Sequence, residues 1–229
     1  MGLIYDFLSL IYPNICHVCG KSLFKNEHLM CTKCKHHMPL SRFSNDPDNP
    51  AAQVFWGRVP TQMVVTAFLY NKGNAIQQLI HKFKYRGIRE IGLFLGGELG
   101  TEISKNPLHD DISCIIPVPL HPGKQKKRGF NQSEIIARGI ATRISAVPDT
   151  SILYRKSFSS TQTRKSKYER WENVENIFGL KNEHMIENKH ILLVDDVITT
   201  GATIEACAQC LLRVKGVRVS VAAVAYTRT

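Results

Sequence analysis

The sequence predicts an α/β protein: a mainly parallel β-sheet with flanking helices, preceded by a small cysteine-bearing module. Three observations predict it. Short apolar runs of strand length alternate with segments of helical periodicity, the pattern of a sheet covered by helices on both faces. One run, Ile191 to Val194, is four apolar residues between polar flanks, which suits a central parallel strand. Four of the seven cysteines fall in two Cys-x-x-Cys pairs, ahead of a stretch rich in Asn, Asp, Pro and Ser from Ser41 to Gln53. That stretch reads as a linker or exposed loop. It divides the chain into a module over residues 1–45 and a sheet domain over residues 54–229.

Composition sets the outer bounds. At 229 residues the chain has room for one α/β core and a small appendage, and 43% hydrophobic residues exclude a mainly disordered chain. Thirty Lys and Arg against nineteen Asp and Glu leave a net charge of +11. Such a balance suits nucleic acid, phosphorylated metabolites or an anionic membrane surface, or marks only a solvated basic surface. Seven cysteines do not suit a secreted disulfide scaffold of this length; a reduced, cytoplasmic setting with one metal site fits better. No apolar run is long enough to span a membrane, so no stable membrane insertion is expected. The stretch from Met1 to Ile11 lacks a basic region, is interrupted by Asp6, and is not read as a signal peptide. Leu3, Ile4, Phe7, Leu8 and Ile11 recur at helical spacing, as in an amphipathic helix packing on its own protein.

The elements follow in order. Val64 to Tyr70 is β-branched and aromatic, and Asn71-Lys72-Gly73 turns the chain. Ile76, Leu79, Ile80 and Phe83 mark an amphipathic helix, and a second helix covers Glu90 to Ser104. Ile112 to Val118 is a strand and Asn131 to Ile144 a helix. After Ile191 to Val194 come a helix over Thr203 to Val214 and a strand over Val217 to Ala225. In such folds ligands bind beyond the carboxyl ends of the strands.

The chemistry concentrates at the end of that central strand. Asp195 and Asp196 are followed by Thr199, Thr200, Gly201, Ala202 and Thr203, where a helix starts. Free backbone N–H groups at a helix start, joined by short hydroxyls, cradle a phosphate, and Gly201 lets the backbone come close. Two carboxylates repel a phosphate but accept hydrogen bonds from vicinal hydroxyls. Hydroxyls and phosphate together describe a ribose 5-phosphate. A helix cap needs one Asp, not two after an apolar strand. The chain has neither a P-loop nor a Gly-x-Gly-x-x-Gly motif.

The four clustered cysteines, Cys16, Cys19, Cys31 and Cys34, give two thiolate pairs eleven residues apart, a donor set for tetrahedral structural Zn²⁺. In so short a piece the metal would supply most of the folding energy, ~10–16 kcal/mol. An iron–sulfur cluster or redox dithiols are the alternatives. Cys207-x-x-Cys210 lies on a helix with Ile204, Ala208, Leu211 and Leu212 on one apolar stripe. Cys207 is therefore a core residue, Cys210 the edge of that face, and Cys114 part of a buried strand.

The run Ile191 to Thr203 closely resembles the ribose-phosphate loop of type I phosphoribosyltransferases. With the four-cysteine motif and Arg128-Gly129-Phe130-Asn131-Gln132, nearly the whole chain resembles the ComF family. The resemblance implies a phosphoribosyltransferase-like sheet with a zinc-ribbon-like module. It also implies phosphoribosyl pyrophosphate as ligand, Mg²⁺ with it, and a role in handling incoming single-stranded DNA in natural competence, alongside other DNA-uptake proteins. It places the loop from Pro117 to Ser133 at the pyrophosphate position, where Lys124, Lys126, Lys127 and Arg128 attract a diphosphate or grip a nucleic-acid backbone. Arg155, Thr161, Gln162, Arg170, Asn173, Val174 and Phe178 match the region that phosphoribosyltransferases use as a flap over pyrophosphate. Arg170 thereby joins the ligand residues. Arg164, Lys165, Lys167 and Trp171 make the same segment a candidate surface for single strands, although Lys165 departs from the apolar residue the family carries there. Purine-salvage enzymes with a similar loop place a third Asp as general base three residues after the pair; here that position is Thr199. Transferase activity is therefore open. A binding protein, a working phosphoribosyltransferase and a zinc-containing nucleic-acid adaptor with a vestigial site are the three readings.

Overall fold

The computed structural model describes residues 13–156 and 177–227. The expected N-terminal amphipathic helix, and residues 157–176 of the basic segment with Arg170 and Trp171, lie outside the described residues.

Five strands make one sheet in the order β1-β7-β6-β2-β3, every neighbouring pair parallel. They are β1 (Val64–Leu69), β2 (Ile112–Pro117), β3 (Val147–Pro148), β6 (His190–Ile198) and β7 (Arg218–Tyr226). β4 (Leu153–Arg155) and β5 (Phe178–Leu180) form a separate antiparallel pair. β6 is central, and Ile191 to Val194 are all fully buried. Leu192 and Val194 belong to one core, Ile191 and Leu193 to the other, so alternate side chains feed opposite faces. This is why the strand reads as an unbroken apolar run.

One face is covered by α4 (Arg89–Ile103) and α6 (Gln132–Ile140). Their backbones touch: a Cβ on Gly96 would lie 2.3 Å from the Ile136 carbonyl oxygen, and one on Gly139 would lie 2.5 Å from that of Leu93. Only glycine permits that approach, which locks α6 against α4. The other face is covered by α7 (Ala202–Leu211), whose Ile204, Cys207 and Leu211 are buried. α3 (Ala75–Arg86) runs across the carboxyl rim of the sheet. Its cap Asn74 donates to the Leu69 carbonyl at the end of β1 (2.9 Å), and Phe83 near its far end stacks on Phe130 beyond β2 (5.4 Å).

Several expectations need correction. The stretch from Ser41 to Gln53 is not simply exposed: Ser41, Ser44 and Asn49 are buried, and Pro50–Gln53 is a short helix, α2, which follows α1 (Thr32–His36) of the cysteine module. Asn49 caps α2 at Ala51 and Ala52 (3.0 Å each) and donates to the Val64 carbonyl (2.9 Å). Polar residues can be interior when each polar atom is partnered. β6 does not stop at Val194 but runs on to Ile198, because β7 pairs with it as far as Tyr226. The basic residues Lys124 to Arg128 are not a loop but a helix, α5 (Pro122–Arg128), with proline in its first turn and left-handed Gly129 (φ 78°) ending it. Cys114 is half-buried rather than fully buried.

Candidate ribose-phosphate site

The sheet order places a switch point between β2 and β6. From β2 the chain leaves through α5 and α6 to β3 on one side; from β6 it leaves through α7 to β7 on the other. Crevices form where connections diverge in this way. On the β2 side, β6 loses its pairing partner after Val194, whose carbonyl accepts from Val118 (2.8 Å). Asp195 and Asp196 therefore sit just past the end of β2, open toward the crevice and half-buried.

Neither carboxylate is free of partners. Asp195 accepts from Ser133 Oγ at the start of α6 (3.0 Å) and from the Asp196 amide (2.8 Å). Asp196 pairs with Lys84 of α3 at 2.6 Å. Burial, and then the Asp196 charge, push the Asp195 carboxyl up to about 7, against the pull of those donors and of Lys84. A carboxyl so poised gains from a ligand that brings hydroxyl donors or a cation.

The loop after β6 is held from beneath. Gly201 has φ +72°, and a Cβ there would meet Val54 at 2.7 Å and Phe55 at 2.9 Å. Arg58 donates to the carbonyls of Val54 and Thr200 (2.9 Å each) and pairs with Glu205 of α7. Thr199, Thr200, Ala202 and Thr203 remain exposed. No side chain caps α7, so its first amide N–H groups face outward without an acceptor from a cap, the condition for holding an anion.

Lys124 and Lys127 lie exposed on α5, beyond the carboxyl end of β2 and therefore beside the acidic pair's strand. Arg128 turns elsewhere, toward Gln132 Oε1 (2.9 Å) and over the Tyr85 ring (5.5 Å). Gln132 is buried, and its Nε2 has no hydrogen-bond partner among the described residues. Lys84, Ser133 and Arg58 are contacts that sequence reasoning missed. No local pattern marks Lys84 or Arg58, and Ser133 read only as the last residue of the loop at the pyrophosphate position.

In the N-terminal module the sulfurs of Cys16, Cys19, Cys31 and Cys34 all lie within 4.8 Å of one another, and four such donors could hold one metal ion. Cys19 and Cys31 are 3.8 Å apart, the edge of a sulfur tetrahedron about 2.3 Å from its centre. Burial raises the Cys16 thiol, yet the amides of Cys19, Cys31 and Val18 and the Cys19 thiol bring it down to about 6. The Cys34 thiol is pushed up by burial and by its three neighbours. Both Cys207 and Cys210 are buried with raised thiols, which suits a core and not a redox pair.

Residues 127–229 match the phosphoribosyl transferase domain family. With the switch-point crevice and the acidic strand end, this makes the chain a protein of type I phosphoribosyltransferase-like fold carrying an N-terminal four-cysteine module. The chain is 30% identical over 212 residues to the DNA utilization protein YhgH of Salmonella typhi, covering 90% of this chain and 87% of that one. It is 28% identical over 226 residues to competence protein ComFC of Bacillus subtilis, covering 97% and 88%. The chain belongs to the ComF family. Among solved structures it is similar to the allosteric regulatory enzyme of purine biosynthesis, at 15% identity and a TM-score of 0.43. That match covers 62% of this chain and 29% of the enzyme. No helix among the described residues is long and apolar enough to cross a membrane.

Proposed function

We propose that this protein binds phosphoribosyl pyrophosphate with Mg²⁺ in the crevice between β2 and β6, and acts in the cytoplasm in handling incoming single-stranded DNA during natural competence. The observation that carries the reading is the juxtaposition of two half-buried carboxylates with an uncapped helix start across Gly201. The carboxylates suit the ribose hydroxyls, and the amides of α7 suit the 5-phosphate. Lys124 and Lys127 suit the diphosphate, with Arg170 as a further candidate. Asp195 and Asp196 are the hard oxygen donors at hand for Mg²⁺, which when bound would offset the diphosphate charge. The thiolate set of the module suits structural Zn²⁺. The competence setting, and other DNA-uptake proteins as partners, rest on the relatives' names. Binding is preferred to transfer because Thr199 offers no carboxylate as general base.

Ligand at ~100 times its Kd should stabilise the fold by about 2.7 kcal/mol. A melting series with phosphoribosyl pyrophosphate and Mg²⁺ should therefore raise Tm, and the double variant Asp195→Asn with Asp196→Asn should lose that rise. A flat series for the natural protein overturns the reading. Pyrophosphate release with any base or amine of a panel would instead make the protein an enzyme.

A further inference from the structure

We propose that the exposed face of α3, centred on Tyr85, is a stacking site for a base of single-stranded DNA; this deepens, and rests on, the DNA-handling reading above. The Tyr85 ring is 63% exposed, unusual for so large a ring. Two groups lie against it: His81, one turn back, at 4.7 Å between ring centroids, and the Arg128 guanidinium at 5.5 Å from the ring centre. An aromatic ring kept open to solvent and flanked by a second ring and a guanidinium is a platform for a flat, electron-rich group. Beside it lies an open cleft of about 440 Å³, lined by Tyr70, Gln77, His81, Lys84, Tyr85 and Arg86 among others.

Charge complementarity selects the occupant. From Tyr70 to Arg89 the chain carries Lys72, Lys82, Lys84, Arg86 and Arg89 and no acidic residue. From Val118 to Ser133 it carries Lys124, Lys126, Lys127 and Arg128 and again no acidic residue. Arg128 over Tyr85 joins the two basic tracts into one surface. A polyanion follows such a surface, and bases that stack on an exposed ring must be unpaired. The occupant is therefore a single strand and not a duplex. Lys84 connects this face to the ribose-phosphate site, since it follows His81 by three residues and reaches Asp196 at 2.6 Å.

The test uses the full zinc-loaded chain and fluorescence anisotropy with a labelled oligothymidylate of about 15 nucleotides. Tyr85→Ala should weaken binding at least about fivefold, the loss expected for one stacked base. Tyr85→Phe should restore it. An abasic oligomer of the same length should bind more weakly and be indifferent to Tyr85→Ala. Unchanged affinity in Tyr85→Ala, or equal weakening of both oligomers, overturns the proposal. So does competition by thymidine monophosphate as strong as that of the oligomer, or a duplex bound as tightly and as dependently on Tyr85. Melting with phosphoribosyl pyrophosphate on the same samples separates the two readings. A lost phosphoribosyl pyrophosphate shift with Tyr85-dependent strand binding sinks the ribose site alone, and the converse sinks the stacking site alone.

Discussion

At the β6–α7 corner the backbone is supported from below: Gly201 is buried against Val54 and Phe55, and Arg58 grips the Thr200 carbonyl. At the β2–α5 corner none of the residues of α5 is buried, and Lys124, Lys126 and Lys127 stand in solvent. The two corners border one crevice. The first is shaped before any ligand arrives, which reduces the ordering cost of binding. The second brings charge on a surface helix with no buried side chain, so its contribution is attraction and not fit. The difference predicts that substitutions at the first corner change stability and affinity together, whereas those at the second change affinity alone.

The strongest way to break the contrast is Gly201→Ala. A left-handed backbone and two contacts under 3.0 Å must be relieved together, at a cost of about 2–3 kcal/mol. Urea denaturation should show that loss, and the rise in Tm with phosphoribosyl pyrophosphate should go with it. Retained stability would mean that the corner yields easily.

Asp195→Asn comes next and carries a sign. The folded carboxyl titrates at about 7 against an ordinary 3.8, so its ionisation works against folding. Below about pH 4 both states are protonated and there is no penalty; the penalty grows as pH rises and is complete above 7. Ligand-free Asp195→Asn should therefore be more stable than the natural protein by about 1–2 kcal/mol at pH 8 and equal to it near pH 4. Melting across that pH range checks it, and a variant less stable at pH 8 would overturn the assignment. The same substitution should lower affinity for phosphoribosyl pyrophosphate, so that stability and binding move in opposite directions.

The smallest effect belongs to the second corner. Lys124→Ala with Lys127→Ala should leave the free protein within about 0.5 kcal/mol of the natural chain. Affinity for phosphoribosyl pyrophosphate should fall about tenfold, near 1.4 kcal/mol, read from the ligand dependence of Tm. A large loss of stability would show that α5 is packed after all.

Local patterns carried much of this into the sequence. The apolar run Ile191 to Val194 followed by two aspartates is legible because a doubly covered strand must be apolar throughout and must end where polar groups meet solvent. Pro122 and Gly129 bracket α5, a helix signal present in the sequence that the loop reading of Pro117 to Ser133 did not use. Contacts that join distant parts were invisible. Lys84 and Asp196 are 112 positions apart, and nothing about a lysine on an amphipathic helix names its partner. Asn49 sits in a segment whose composition speaks for exposure; the four hydrogen bonds of its side chain explain its burial.

The segment Pro39 to Ser41 has one further effect. β1 is an edge of the sheet, and its outer side is met by this segment, with Leu69 donating to the Pro39 carbonyl (2.8 Å) and Ser41 to that of Ala67 (3.0 Å). A bare edge of Val64 to Leu69, apolar and largely buried, would invite a strand from another molecule. The cysteine module and the chain that tethers it thus act as a guard against self-association. A chain begun at residue 54 would lose that guard, and with it Ala51 and Ala52, which are buried in one core with Phe55.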